Sequence, residues 1–232
     1  SRRRHTRYIS VTGVQTCALP IYYSVMTEKE HSTYIRQHKI YKWQAKFLED
    51  VSGIKINVSD DPMDYVPNIN FENFNITPVD DFIQNVVKEK SIVLLCNNEV
   101  LSKQSDVGDM ESVISALCDK YDCIFVSTKR LNLRKPNLYY TNDLFNDAPG
   151  LNEIGYLSKF ARIIIGKNSG AYCFVQTKDN LNDPNKTFLC LGHKKSDNLP
   201  DGLPFKSNII HSDKSDDSEL ITLISNLIED IL

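Results

Sequence analysis

The chain has 232 residues, 41% of them apolar and 25% charged, with 27 Lys and Arg against 30 Asp and Glu for a net charge of −3. That is an ordinary globular composition, and it excludes a collagen-like repeat, wholesale disorder and a polytopic membrane protein. The slightly acidic balance gives no electrostatic case for nucleic acid as a partner, and the length suits one large domain, or one domain with part of another.

The charge is unevenly spread. Residues 1–21 hold Arg2, Arg3, Arg4 and Arg7 and no acid, so the rest of the chain is distinctly acidic. Tyr8 to Thr27 is a run of twenty uncharged residues. It includes Thr12, Gly13, Gln15, Thr16, Pro20, Ser24 and Thr27, too polar for a membrane span, which needs about 20 mostly apolar residues. The run SRRRHTRYISVTGVQTCALPI resembles a translated sequencing-adapter read-through. That resemblance implies an artefactual segment at 1–21; the alternative is a disordered basic tail.

The elements follow in order. Ile40, Trp43, Phe47, Leu48 and Val51 recur at helical spacing and predict an amphipathic helix over 34–50, stopped by Gly53. Residues 54–78 carry Pro62, Pro67 and Pro78 in an Asn-rich stretch without a period, which suits a linker. Pro78, Asp80 and Asp81 open a helix to about Lys90. Ser91–Cys96 is a continuous apolar run, as in a strand buried on both faces. After a polar loop from Asn97 to Ser105, a helix is predicted over Asp106–Tyr121, with Met110, Val113, Ile114 and Leu117 on one stripe. Strands are predicted at Cys123–Val126, Asn137–Tyr140, Arg162–Gly166, Thr187–Leu191 and Ser207–Ile210. Helices are predicted at Leu151–Phe160 (Ile154, Leu157 and Phe160 inward), at Ser169–Val175 and from Ser215 to the end. This alternation predicts an α/β fold: a Rossmann-like parallel sheet over 79–232, with helices on both faces.

Outside the first segment, Cys96, Cys118, Cys123, Cys173 and Cys190 form no paired spacing. The expectation is buried free thiols in a reduced, cytoplasmic setting and no metal site. His5, His31, His38, His193 and His211 make no ligand cluster, and His193 follows a predicted strand at a site rim.

Ligands of open parallel sheets bind at the carboxyl ends of the strands. Four places there carry candidate chemistry. Gly166-Lys-Asn-Ser-Gly170 leaves a strand and opens a helix. Gly166 would permit a tight turn, and Ser169 and Gly170 would present free amides to phosphate; an ordinary strand-to-helix turn capped by Asn168 or Ser169 explains the motif too. In the loop after the first strand, Lys103 could meet a diphosphate and Ser102 and Ser105 donate hydrogen bonds; a solvated loop accounts for them equally. Thr128, followed by Lys129, suits a base-edge contact. Glu153 suits a ribose hydroxyl, although helix-dipole stabilisation explains an acid there as well.

Leu151-Asn-Glu-Ile-Gly-Tyr-Leu-Ser-Lys-Phe-Ala-Arg-Ile-Ile-Ile-Gly-Lys-Asn-Ser-Gly170 resembles the donor-domain signature of heptosyltransferase-like glycosyltransferases of the GT-B fold. Gly166, Ser169 and Gly170 match it, while Asn168, Ala171 and Cys173 stand where Asp, Pro and His are usual. The resemblance implies that residues 79–232 hold a nucleotide diphosphate sugar as donor, without cofactor or metal. Residues 22–53 would then be a remnant of the acceptor domain and 54–78 the interdomain linker. The glycan or lipid-linked acceptor, the catalytic base and peripheral membrane association would belong to the missing domain, in bacterial surface polysaccharide synthesis. A truncated enzyme without turnover is expected. A non-catalytic Rossmann-like interaction module is the alternative. A receiver-type regulator ranks last, because the strand ends at Cys96, Val126 and Gly166 lack clustered acids.

Overall fold

The computed structural model describes residues 33–72, 74–98, 110–145, 150–167, 170–192 and 204–231. They fall into two compact units, one ending at Val66 and the other beginning at Pro67. In the first, helix α1 runs Thr33–Ser52, and a short 3-10 turn at Pro62–Tyr65 is capped by the Asp61 carboxylate, which accepts from the Met63 N–H. The predicted apolar stripe of α1 is exposed: Phe47 by 54% and Val51 by 70%, with Trp43 and Phe47 stacked at 5.9 Å.

The second unit opens with α2 (Thr77–Phe82), continued by a π-helical turn to Val87. There follow β1 (Ile92–Cys96), α3 (Glu111–Lys120), β2 (Ile124–Ser127), β3 (Leu138–Tyr140), α4 (Thr141–Leu144) and α5 (Leu151–Ser158). The chain goes on through β4 (Ala161–Lys167), α6 (Gly170–Phe174), α7 (Lys178–Leu181), β5 (Thr187–Leu191), β6 (Asn208–Ser212) and α8 (Asp217–Glu229). The six strands form one parallel sheet in the order β3-β2-β1-β4-β5-β6. This is a Rossmann-like α/β fold, and the strand order reverses between β1 and β4.

Two-residue periodicity divides the core between the faces. Val93, Leu95, Ile163, Ile165, Leu189 and Leu191 join Val113, Ile114 and Leu117 of α3 and Leu220, Ile224 and Ile228 of α8 in one cluster. The intervening residues, among them Leu94, Ile164 and Phe188, are equally buried, because α5 and α6 pack with β4. Asp216 caps α8 by accepting from the N–H groups of Ser218 and Glu219 at 2.9 and 3.2 Å.

Some expectations need correction. Phe160 lies past the end of α5 and is 39% exposed, whereas Ile154 and Leu157 are buried as expected. The α2 segment widens into a π turn at Ile83–Val87 instead of continuing as an α-helix to Lys90. The short helices α4 and α7 were not predicted; four residues are too few to show a period. The predicted helix start at Asp106 lies outside the described residues.

Lys186 is a buried charge with a structural purpose. Its ammonium donates to the carbonyls of Ser158, Lys159 and Ala161 at 3.0, 2.8 and 2.6 Å, closing the C-terminus of α5 and its turn into β4. Burial draws its pKa down from 10.5 to about 8, although Asp183 pulls the other way. Replacing it as Lys186→Met strands these carbonyls and is expected to destabilise the fold by about 1–3 kcal/mol in urea denaturation. Between pH 8 and 10.5 the unfolded chain holds this proton more tightly, so Lys186 makes stability rise with pH. The difference between wild type and Lys186→Met should therefore shift in favour of wild type across that window.

Candidate functional site

The strand order reverses between β1 and β4, and in open parallel sheets the carboxyl ends of the strands at such a reversal are where a ligand crevice is expected. The crest of β1 supplies its floor. Asn97 follows five fully buried strand residues and is only 2% exposed. Its N–H donates to the Thr128 hydroxyl at 3.2 Å. Its Oδ1 accepts from the Ser127 hydroxyl at 2.9 Å and from the Lys129 N–H at 3.1 Å. The backbone donor fixes which end of the amide is oxygen. Nδ2 is therefore left as a buried donor with no hydrogen-bond partner. The next amide shows the complementary defect: Asn98 Nδ2 donates to the Thr128 carbonyl at 3.3 Å, while its Oδ1 is buried and unpartnered. A buried polar atom without a partner costs about 1–3 kcal/mol. Two of them side by side mark a place prepared for a polar ligand or ordered water.

Thr128 lies at the end of β2, where the sequence places it. Its hydroxyl is engaged with β1, donating to the Leu95 carbonyl at 3.1 Å and accepting from Asn97. It braces the floor of the crevice. Glu153 sits in the first turn of α5, which returns towards the amino end of β4 and so begins on the carboxyl side of the sheet. Its Oε2 is buried without a hydrogen-bond partner, beside the Cα of Gly150.

The two glycines of the 166–170 motif have different reasons to exist. Gly166 was expected to relax a tight turn. It is instead a strand residue of β4, in register between Cys96 and Cys190. A Cβ there would lie 2.3 Å from the Tyr172 ring, so its hydrogen makes room for that side chain. Tyr172 is fully buried and meets Phe188 edge-on at 6.3 Å. Gly170 shows no such constraint: among the described residues a Cβ would meet nothing within 4 Å, and its φ is not among the positive ones. Lys167, at the end of β4, is buried.

The sheet thus brings Thr128, Gly166 and Gly170 to one end of the fold, with Glu153 at the start of the helix that leads into β4. Ser102, Lys103, Ser105, Asn168 and Ser169 lie outside the described residues, as does His193. Asn97 and Asn98 escaped the sequence reading as individual site residues. The available signal was position: a polar amide directly after a strand of five apolar residues.

Among the described cysteines, Cys96, Cys118, Cys123 and Cys190 are buried as expected, whereas Cys173 departs from the expectation and is exposed on α6. Burial raises Cys190 and Cys118 to about 12, and Cys96 still further. Among the described residues no group of His, Cys, Asp and Glu could hold a metal ion. No helix among them is long and apolar enough to cross a membrane. No protein-family model matches the chain, and no curated protein matches it in sequence.

Gly166→Ala tests the packing assignment. The added methyl has to displace the Tyr172 ring from a filled core, at an expected cost of about 1–3 kcal/mol, read as a lower urea midpoint. The double variant Gly166→Ala, Tyr172→Leu should recover part of the loss.

Proposed function

We propose that this chain is the donor-binding half of a heptosyltransferase-like GT-B glycosyltransferase, and that a nucleotide diphosphate sugar occupies the crevice between β1 and β4. The observation that carries the reading is the unpartnered, buried Nδ2 of Asn97 at the strand-order reversal. A donor held in place by three neighbouring residues can bond an acceptor atom of a ligand without reorganising. Gly170 adds to this. None of the described residues demands a glycine there, whereas a ligand approaching the backbone would.

In this reading the ligand diphosphate is received at Gly170, and Asn168, Ser169, Ser102, Lys103 and Ser105 have the phosphate-binding roles that their sequence positions suggest, while Glu153 takes a ribose hydroxyl. Thr128 holds the crevice floor beneath the base. The chain's work is to bind the donor, orient it and stabilise the departing diphosphate. The acceptor hydroxyl and the base that deprotonates it come from another domain. The setting is cytoplasmic, in the assembly of bacterial surface glycan on a membrane-associated acceptor. The exposed apolar side of α1, with Phe47, Leu48 and Val51, favours the second reading, a non-catalytic interaction module.

Calorimetry and thermal shift with UDP, GDP, ADP and CMP separate the two. The donor-half reading expects one nucleotide to raise the melting temperature. It also expects Gly170→Val to weaken that nucleotide by about tenfold or more while leaving the unliganded melting temperature nearly unchanged. An absence of response to all four nucleotides would count against the donor-half reading, and a stable complex with another protein would then favour the interaction module.

A further inference from the structure

We propose that the loop joining β2 to β3 forms a second ligand site, a groove for a small phosphorylated anion bearing at least two negative charges. The loop reads Lys129-Arg-Leu-Asn-Leu-Arg-Lys135, four cations in seven residues without an acid, in a chain whose net charge is −3. Arg130 to Pro136 bound a cavity of about 640 Å³ together with Leu138, Tyr140 and Asp143. That volume falls within the range of small-molecule sites, roughly 300–1,000 Å³.

The wall carrying the cations is fixed. Leu131 is buried and Leu133 packs against the core, while Arg130, Asn132 and Arg134 alternate outward. The Asn132 N–H donates to Glu111 Oε1 at 2.7 Å, and the Tyr140 hydroxyl donates to the Leu133 carbonyl at 2.8 Å. Arg130 lies 4.9 Å over the Tyr140 ring and pairs with Asp143. Lys135 is 2.5 Å from Asp119. Arg134 is exposed and has no ion-pair partner among the described residues.

The chemistry follows from this division of labour. The Arg134 guanidinium presents paired donors that fit phosphate oxygens. Arg130 is held flat against an aromatic ring by a carboxylate that an incoming anion can replace. Asp143 is thus a built-in competitor for the ligand, and Lys135 stands along the same wall, paired with Asp119. The groove's lining, Arg130–Pro136 with Leu138, Tyr140 and Asp143, includes none of Asn97, Asn98, Gly166 or Gly170.

The test is calorimetric titration of the full chain with inorganic pyrophosphate at low salt. It is run in the Gly170→Val background, where any crevice contribution is expected to be about tenfold weaker, and the dependence on Arg134 and Asp143 identifies the groove. Saturable binding is expected, weakened about tenfold by Arg134→Ala and by added salt. Asp143→Asn should tighten it several-fold, because it frees Arg130 and removes a repelling charge; a merely structural carboxylate would not do this. Both substituted residues are exposed, and circular dichroism checks their folding. No saturable heat, or an affinity indifferent to both substitutions, overturns the proposal. Loss of nucleotide binding at the crevice alone leaves it standing.

Discussion

Everything in the second unit hangs from the pairing of β1 with β4. Each is buried on both faces, so a one-residue slip in their register would turn every side chain to the wrong layer. The ladder already contains one irregularity: Ile92 pairs with Ala161 but Val93 pairs with Ile163, which leaves Arg162 as the extra residue, exposed at the start of β4. Beyond that point the register is strict, and it sets Cys96, Gly166 and Cys190 at one level. Tyr172 uses the gap that only a glycine provides between two small thiol side chains. The position of α6, and with it Gly170, follows from this contact.

The same pairing makes the crevice polar. Just past the last rungs the Thr128 N–H still reaches the Leu95 carbonyl at 2.9 Å, while the N–H groups of Asn97 and Lys129 are taken by side chains. Asn97, Ser127, Thr128 and Lys129 form a small closed network in which the Ser127 hydroxyl, with one proton, faces two acceptors, Asn97 Oδ1 at 2.9 Å and the Lys129 carbonyl at 2.6 Å. Low dielectric strengthens such bonds and penalises whatever is left over. What is left over is the donor of Asn97 and the acceptor of Asn98. The network is rigid where the protein bonds to itself and open where a ligand would be received.

Charge is handled locally in this fold. The Lys186 ammonium is buried against three carbonyls at a helix end, where the helix dipole favours a cation. Tyr121, Lys120 and Glu229 tie α3 to α8 at the surface, with the Tyr121 hydroxyl 2.6 Å and the Lys120 ammonium 2.9 Å from the same carboxylate; those two bonds, the hydroxyl's first, hold Glu229 below its ordinary range. The β2–β3 loop differs, because among the described residues Arg134 has no ion-pair partner while Arg130 and Lys135 pair with Asp143 and Asp119.

Much of the fold was legible in the residues. Continuous apolar runs at Ile92–Cys96 and Ile163–Ile165 announce doubly buried parallel strands, since only helices on both faces would hide them. Val113, Ile114 and Leu117, and later Leu220, Ile224 and Ile228, show the period of helices that cover such a sheet. These patterns are local, and burial writes them directly into composition. The strand order, the pairing of Gly166 with Tyr172, the three-carbonyl seat of Lys186 and the stranded amide of Asn97 are not local. They depend on which distant segments become neighbours, and no spacing along the chain records that. Sequence determined an α/β chain with a candidate turn at 166–170. Tertiary contact decided that the first glycine of that turn serves packing, because only the folded sheet sets the Tyr172 ring against it.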